Sequence, residues 1–464
     1  MNTSLPLRAL TALMAALILA GCASAPALSP RSLPAVPASF KEAGAPPTAA
    51  PLPAQGAWWQ GFADPALDDL VQRADRSNHQ LQAAAARVAQ ARALLRRADA
   101  DRLPQVGLGA GAVREATLLT GNQPRTALSV GANLSYELDI AGRLAQGSNA
   151  ATLDVREREA LLQDSRRLVQ AEVARSYFAL RALDAERALV QSTVASYRDT
   201  LRLTERRYAA GDIPELDVAR VRSELAANES EALSLERQRS LVEHALAVLV
   251  GEAASSFGID TADWQAALPQ VPAGVPSTVL ARRPDVAAAQ NALQAAQARV
   301  GIAQAAWWPA LTLTAAGGQA STELSDLFTT AARTWGIGLL LNLPVFDGGR
   351  REAGVARSQA EFDGAVAHLR EQMLVALREV EDELAALRLL AQQEEAQGRA
   401  VGAAARVTFL SETRYRNGLV SQLDLLDAQR SELRNRRQAL QVRAAQYQAT
   451  VGLMRALGGG WAPA

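Results

Sequence analysis

The segment Tyr415–Leu440, YRNGLVSQLDLLDAQRSELRNRRQAL, sets two carboxylates, Asp424 and Asp427, in a leucine-rich helical stretch just after a glycine turn. On a helix Leu423 and Asp427 are i and i+4, and Asp424 and Asp427 are i and i+3, so the three side chains are near neighbours. Such acids can cap the helix and solvate its surface. They can also concentrate negative charge where a passage narrows, which favours cations and repels anions. Spacing alone leaves both open. Elsewhere the residue types that catalyse are scattered. His79, His244 and His368 are isolated, and none belongs to a metal-ligand spacing such as HExxH. No Walker loop, GxSxG elbow or GxGxxG follows a suitable strand. Carboxylates on long charged helices are far more often surface residues than catalytic pairs. The sequence therefore predicts no enzyme, no metal site and no bound cofactor.

Composition narrows the classes further. The chain has 464 residues, 49% hydrophobic and 21% charged, with formal net charge +0. A balanced charge argues against nucleic acid as a partner, because such binders show a basic excess or patch. Nearly every basic residue is arginine, with Lys41 the lone lysine, and alanine abounds; that bias reads as genome composition. At the N-terminus, Arg8 precedes the apolar run Ala9–Ala20, which is too short for a mature membrane-spanning helix. Leu19-Ala20-Gly21-Cys22 follows at once and looks like a lipobox, in which Cys22 would be diacylated and become the new N-terminus. Cys22 is the only cysteine, so no disulfide explains it. Ala23 stands where an aspartate would favour inner-membrane retention. The expectation is a bacterial lipoprotein carrying a covalent lipid on Cys22 and delivered to the outer membrane.

Residues 23 to 57 are rich in proline and alanine and read as an extended tether that buries no core. Folding is expected to begin at Trp58-Trp59-Gln60-Gly61-Phe62, with Asp64-Pro65 as a helix-start signal. After that the chain looks duplicated. Leu103-Pro104-Gln105-Val106 corresponds to Trp308-Pro309-Ala310-Leu311, Ala141-Gly142-Arg143 to Gly348-Gly349-Arg350, and Tyr208-Ala209-Ala210-Gly211 to Tyr415-Arg416-Asn417-Gly418. The first pair is offset by 205 residues and the other two by 207, which Leu216-Asp217 and Leu423-Asp424 keep. Each half is predicted to run helix, strand, strand, very long helix, turn, helix. Leu81, Val88, Ala91, Leu95 and Ala98 form a heptad-like stripe, as do Val286, Leu293, Ala296 and Val300. The long helices are predicted over roughly Leu144–Ala209 and Arg351–Arg416, in stretches without proline. Each would extend about 100 Å if continuous.

The strands separate this chain from an ordinary coiled coil. Leu128, Val130, Ala132, Leu134, Tyr136 and Leu138 alternate with Ser129, Gly131, Asn133, Ser135, Glu137 and Asp139. Trp335, Ile337, Leu339, Leu341 and Leu343 alternate mostly with glycine and asparagine. Val106, Leu108, Ala110 and Ala112 form a third face, and Leu311, Leu313 and Ala315 a shorter fourth. Alternation over about ten residues suits a membrane-barrel strand with lipid on one side and water on the other. A half-buried soluble sheet gives the same pattern. Four strands cannot close a barrel, and an open edge is not tolerated in lipid. If they span a membrane, several protomers must share one barrel, and three would supply twelve strands.

In these motifs the chain resembles the outer-membrane factors of tripartite efflux and type I secretion systems, the TolC/OprM class, and within it the NodT-like lipoprotein branch. The carriers are Trp58-Trp59 with Phe62-Ala63-Asp64-Pro65; Leu280-Ala281-Arg282-Arg283-Pro284-Asp285; Pro344-Val345-Phe346-Asp347-Gly348-Gly349-Arg350; Leu425-Leu426-Asp427-Ala428-Gln429-Arg430; and Ala456-Leu457-Gly458-Gly459-Gly460-Trp461. The resemblance covers essentially the whole mature chain. It implies a mainly α fold with membrane β: a TolC-like trimeric α/β-barrel, with four strands per protomer in a shared twelve-stranded barrel and a long periplasmic helical barrel. The organisation that follows is a signal peptide at 1–21, an acylated N-terminus and tether at 22–57, a first repeat at 58–251, an inter-repeat linker at 252–278, a second repeat at 279–457 and a C-terminal tail at 458–464.

The resemblance also implies a function and a site. The protein would be a homotrimeric outer-membrane channel that passively exports small molecules, drugs or other toxic compounds, delivered by an inner-membrane pump of RND type through a periplasmic adaptor, or membrane fusion protein. The two glycine turns become periplasmic tips, and the second hairpin bends inward to close the tunnel. Leu423, Asp424 and Asp427 are then gate residues repeated as rings by the threefold axis. Tyr415 with Asp217 forms a possible tip link, and Arg443 is a lesser candidate for a link to a neighbouring protomer. Some members carry an arginine two residues after the tip glycine, where this chain has Val420. Within the family the alternative is the exit duct of a type I protein secretion system. From another class the alternative is a periplasmic coiled-coil adaptor lipoprotein, which has one hairpin flanked by β-rich domains.

Overall fold

A proline-free run of good helix formers on each side of a glycine turn makes two helical hairpins of matched length. The computed structural model describes residues 34–43, 56–116, 123–269, 271 and 276–459. In chain order its regular elements are α1 (Pro65–Ser77), α2 (His79–Ala100), β1 (Gln105–Glu115), β2 (Arg125–Leu138), α3 (Arg143–Ala209), α4 (Glu215–Leu249), α5 (Pro276–Arg282), α6 (Pro284–Ala305), β3 (Ala310–Ser321), β4 (Arg333–Asn342), α7 (Arg350–Arg416) and α8 (Gln422–Ala456). The duplication is visible in the lengths. Helices α2 and α6 each have 22 residues, α3 and α7 each have 67, and α4 and α8 each have 35. Cys22, the signal sequence and most of the tether lie outside the described residues.

Among the described residues the chain divides into two compact units, one within 86–159 and 288–371, the other within 35–85, 160–287 and 372–459. In the first, an antiparallel sheet has the order β1-β2-β3-β4. Its register gathers the alternating residues of all four strands onto common faces. Leu134 lies between Val106 and Ala315, which in turn pairs with Ile337. Tyr136, Leu313 and Leu339 make the next row, and Leu138, Leu311 and Leu341 the one after. The other face carries Gly109-Gly131-Gly318 and Gly107-Asn133-Ala316-Gly336, with Leu340 and Val113 its large apolar residues. Both strand-to-helix junctions are fixed by an acid and a glycine. Asp139 accepts from the Leu144 and Ala145 amides ahead of α3, and Asp347 accepts from Gly349 and Arg351 ahead of α7. Gly142 and Gly349 supply φ of 71° and 86° at equivalent places.

The second unit has an aromatic core. Trp58, Trp59 and Phe62 pack with Phe178 of α3, Tyr447 of α8 and Trp264. Asp64 caps α1 through the Ala66 and Leu67 amides, and its other oxygen accepts from Tyr177 Oη at 2.6 Å. Within the expected linker, Trp264 and Ala266 belong to this core, with Phe257, Ile259 and Val271 packed against it; Tyr447 Oη donates to the Ala266 carbonyl. The tether expectation also needs correction at residues 34–43. Phe40 is 4% exposed and packs against Val279, Val380 and Leu453. The Lys41 and Glu42 amides donate to the Glu381 carboxylate at 2.7 and 2.9 Å, and Glu42 pairs with Arg388. Phe40 is the one aromatic residue between Cys22 and Trp58, and its area drives the docking. Another charged knot holds the C-terminal end of α8. Arg283, 1% exposed, donates to Asp285, to Glu379 at 2.7 Å and to the Ala456 carbonyl at 3.1 Å.

Candidate functional site: the membrane sheet and the hairpin tip

In the sheet, the residues a soluble protein would bury are outermost. Leu108, Trp335 and Ile337 are 88%, 82% and 73% exposed, and Leu339 and Leu341 are exposed with them. An apolar row such as Leu128–Leu138, at about 3.4 Å per residue and a tilt of about 45°, is about 25 Å tall, the height of a barrel's lipid-facing band. Trp307, Trp308, Val345 and Phe346 are exposed beside one end of the sheet, with Arg351 stacked on Trp307 at 4.5 Å; Phe328 and Leu324 are exposed beside the other. Aromatic residues at both ends match the girdles that flank the apolar band of a membrane barrel. Sequence reasoning passed over these belts, although the Trp307-Trp308 pair and Phe346 flank alternating segments. The outer edges of β1 and β4 have no strand partner among the described residues. No helix among those residues is long and apolar enough to cross a membrane.

The two hairpin tips in the second unit are built alike. Helix α3 ends at Gly211, with φ 80°, where the Gly211 amide donates to Tyr208 and the Asp212 amide to Arg207. Helix α7 ends at Gly418, with φ 72°, where Gly418 donates to Tyr415 and Leu419 to Arg414. Both are the glycine-terminated Schellman arrangement, which turns the chain at once into the next helix. On α8 the residues Gln422, Leu425, Leu426 and Ala428 are buried, whereas Leu423, Asp424 and Asp427 are exposed. The three proposed gate residues thus share the face that the protomer leaves uncovered.

Asp424 has a structural task as well. The Ser421 amide and hydroxyl both donate to its carboxylate, at 3.0 and 2.6 Å, and the Asp424 amide donates to Ser421 Oγ, a capping box. Those bonds from Ser421 hold the carboxyl below its ordinary 3.8. Asp424 therefore keeps its charge at acidities where free aspartate is half protonated. Asp427 approaches Arg430 at 3.3 Å, an exposed pair that neutralises it little. The Tyr415–Asp217 link is not formed. Asp217 pairs with Arg220 one turn on, while Tyr415 is buried under Arg207 with its hydroxyl unpartnered. Arg443 is likewise committed within its own chain, donating to the Trp264 carbonyl and stacking on that ring at 4.7 Å. Sequence reasoning missed the polar groups behind the tip, Gln422, Gln429 and Tyr197, although a glutamine pair at seven-residue spacing on a buried helix face was there to find.

A lipid-facing sheet with two open edges, on a duplicated pair of very long helices, defines a class: the outer-membrane channels of TolC fold. A profile described as "Outer membrane efflux protein" matches residues 70–252 and 275–459. The pyoverdine export outer membrane protein OpmQ of Pseudomonas putida is 35% identical over 417 residues, covering 87% of this chain and 88% of that one. The cation efflux system protein CusC of Escherichia coli is 30% identical over 455 residues, covering 96% and 97%. A crystal structure of a membrane protein from Pseudomonas aeruginosa matches with a TM-score of 0.86 and 31% identity, covering 95% of this chain and 98% of that one. The chain belongs to the outer membrane efflux protein family. It is the outer-membrane channel of an efflux system, a transport protein, and the adaptor alternative, with its single hairpin, is set aside by this match along the chain and by the two hairpins seen here.

Proposed function

We propose that three copies of this chain close one twelve-stranded barrel in the outer membrane, and that the second tip hairpin gates the passage on the periplasmic side. The observation that carries the trimer is the four-stranded sheet with an apolar outer face and unpaired edges at β1 and β4. Backbone groups left unpaired in lipid cost several kcal/mol each, so each edge must meet an edge of another copy. Cysteine pairs placed along β1 and β4 test this. Oxidation should produce covalent species that stop at three chains, and a series in which no β1–β4 pair joins would exclude edge-to-edge closure.

Transport through such a pore is passive. An RND-type inner-membrane pump supplies the energy, and a periplasmic adaptor couples it to the tip. The cargo is small molecules: among the relatives, OpmQ is named for pyoverdine export and CusC for cation efflux, so one scaffold serves chemically unlike compounds. The lipid on Cys22 is part of the proposal. Labelled fatty acid should be incorporated by the wild type and not by Cys22→Ser; equal labelling of both would remove the anchor from that cysteine.

At the gate, the threefold axis turns Leu423, Asp424 and Asp427 into rings. Leucine narrows the throat sterically and by dewetting, and the carboxylates admit cations ahead of anions. Asp424→Ala with Asp427→Ala is expected to raise single-channel conductance or lower the cation-to-anion permeability ratio several-fold in planar bilayers. Because Ser421 keeps Asp424 ionised below the usual carboxylate range, wild-type selectivity should persist as pH falls towards that range and fade only beneath it. Wild-type conduction by the double variant would remove the gate role from these residues.

A further inference from the structure

The outward face of the sheet is apolar from its helix end almost to its far end, and two charges interrupt it there. Along β1 that face carries Val106, Leu108, Ala110 and Ala112, and then Arg114. Along β4 it carries Leu341, Leu339, Ile337 and Trp335, and then Arg333. These are the only charged residues of that face on the four strands; Glu115 and Arg125, direct cross-strand partners at the same end, lie on the other face. Both outward arginines are exposed. Arg114 stands opposite Thr126, and Arg333 opposite Gln319, whose side-chain oxygen is enclosed without a hydrogen-bond partner and so takes nothing from the arginine. Glu323 and Asp326 lie in the β3–β4 connection, but among the described residues no acid pairs with either arginine.

A guanidinium on a lipid-facing strand is costly at mid-membrane and nearly free at the interface, where its stem lies along hydrocarbon and its head reaches the headgroups. These two therefore stand at the headgroup level of one leaflet. That leaflet is the outer one, because β1 connects to β2 and β3 to β4 at this end, while the other ends run into the long helices on the periplasmic side. Arg114 is the last residue but one of β1, and Arg333 is the first of β4. Those are the two edge strands, so within one copy the arginines stand at opposite edges. Where the β4 edge of one copy meets the β1 edge of the next, each seam receives one arginine from either side. The occupant fitted to such a seam is an anion that carries its own acyl chains. Guanidinium forks grip phosphate through paired bonds, and the apolar rows below them accept hydrocarbon. A zwitterionic phospholipid offers one phosphate offset by its amine. The phosphorylated, multiply acylated glycolipid of an outer leaflet offers several charges of one sign, and charge complementarity selects it.

We propose that each β4–β1 seam binds a phosphorylated glycolipid of the outer leaflet, through Arg333 of one copy and Arg114 of the next. This rests on the reading that three copies close one barrel. Native mass spectrometry of the purified, full-length protein, titrated with diphosphorylated lipid A, tests it. The wild type should retain lipid A several-fold more than the same lipid stripped of its phosphates, and more than phosphatidylethanolamine. Arg114→Gln with Arg333→Gln should lose that preference. Arg114→Lys with Arg333→Lys keeps the charge and should keep part of the preference, which a misfolded barrel would not. Arg125→Gln, on the other face of the same end, should bind as the wild type does. Inorganic phosphate in excess should leave the lipid A in place. Equal retention of the three lipids, wild-type binding by the glutamine pair, or full displacement by inorganic phosphate would overturn the site. The mass of the assembly separates the two readings. Chains that never form a trimer remove the closed barrel and the seam with it. Trimers without a preference for the phosphorylated lipid leave the barrel standing and the glycolipid site fallen.

Discussion

Gly318→Val should abolish the heat-labile trimer and with it all conductance, whereas Gly336→Ala on the same face should leave both unchanged. At the β2–β3 junction Gly131 and Gly318 are direct partners, and the two backbones pass unusually close. A Cβ on Gly318 would stand 2.3 Å from the Val130 carbonyl oxygen and 2.6 Å from the Gly131 Cα. A Cβ on Gly131 would stand 2.8 Å from the Gly317 carbonyl oxygen. These are backbone atoms, so no side-chain rotation relieves the contact, and the strands must part. In water a parted ladder re-forms bonds with solvent. In lipid each orphaned group costs several kcal/mol, and a barrel with one seam open has no substitute for them. Gly336 has open space where its Cβ would go, so alanine there tests whether the effect belongs to the junction or to any glycine of the face. Gel mobility with and without heating, followed by bilayer recording, reads both variants. A conducting Gly318→Val trimer would show that β2 and β3 tolerate a gap.

Arg283→Ala should cost about 3–5 kcal/mol of stability, the usual penalty for removing one partner of a buried ion pair. Arg283 meets Asp285 through two nitrogens, Glu379 through a third bond and the C-terminal carbonyls of α8 at Ala456. Its loss leaves Asp285 with the Val286 amide at 2.9 Å and Arg167 at 3.5 Å. The effect depends on pH in a defined direction. Burial pushes the Asp285 carboxyl up, but the hydrogen bond and charge of Arg283, together with the Arg167 charge and the Val286 amide, outweigh it and hold the group below its ordinary 3.8. A depressed aspartate contributes stability that is present above the unfolded value and lost as pH falls through the folded one. Without Arg283 two of the lowering influences are gone, and the carboxyl sits higher than in the wild type. The gap between wild type and variant should therefore be widest near neutral pH and narrow in acid. Thermal unfolding followed by circular dichroism over that range measures it, and a gap that is constant with pH would mean that Arg283 acts by packing alone.

Much of the architecture is legible because duplication repeats its punctuation. The glycines at 211 and 418 end helices of identical length, and the alternation on β1, β2 and β4 marks one apolar face before any pairing is known. Ser421-Gln422-Leu423-Asp424 carries its capping function in the sequence, since a serine with an acid three residues on is the signature of that cap. Other features depend on partners far along the chain. Phe40 reads as part of a tether until Val380 and Leu453 are folded against it. Arg283 and Asp285 belong to a motif visible in the sequence, but Glu379 and Ala456, which give the motif its purpose, are remote. Tyr415 and Tyr208 are equivalent in sequence and opposite in burial, Tyr415 lying under Arg207 while Tyr208 is 45% exposed. Periodicity cannot separate them.

The central claim is that this chain forms an ion-permeable pore through a barrel it shares with two copies of itself. Single-channel recording of the purified trimer in a planar bilayer tests it most directly. The account predicts discrete, stable conductance steps with cation preference, enlarged by Asp424→Ala with Asp427→Ala and absent in Gly318→Val. A correctly inserted wild-type trimer that gave no conductance steps would contradict it.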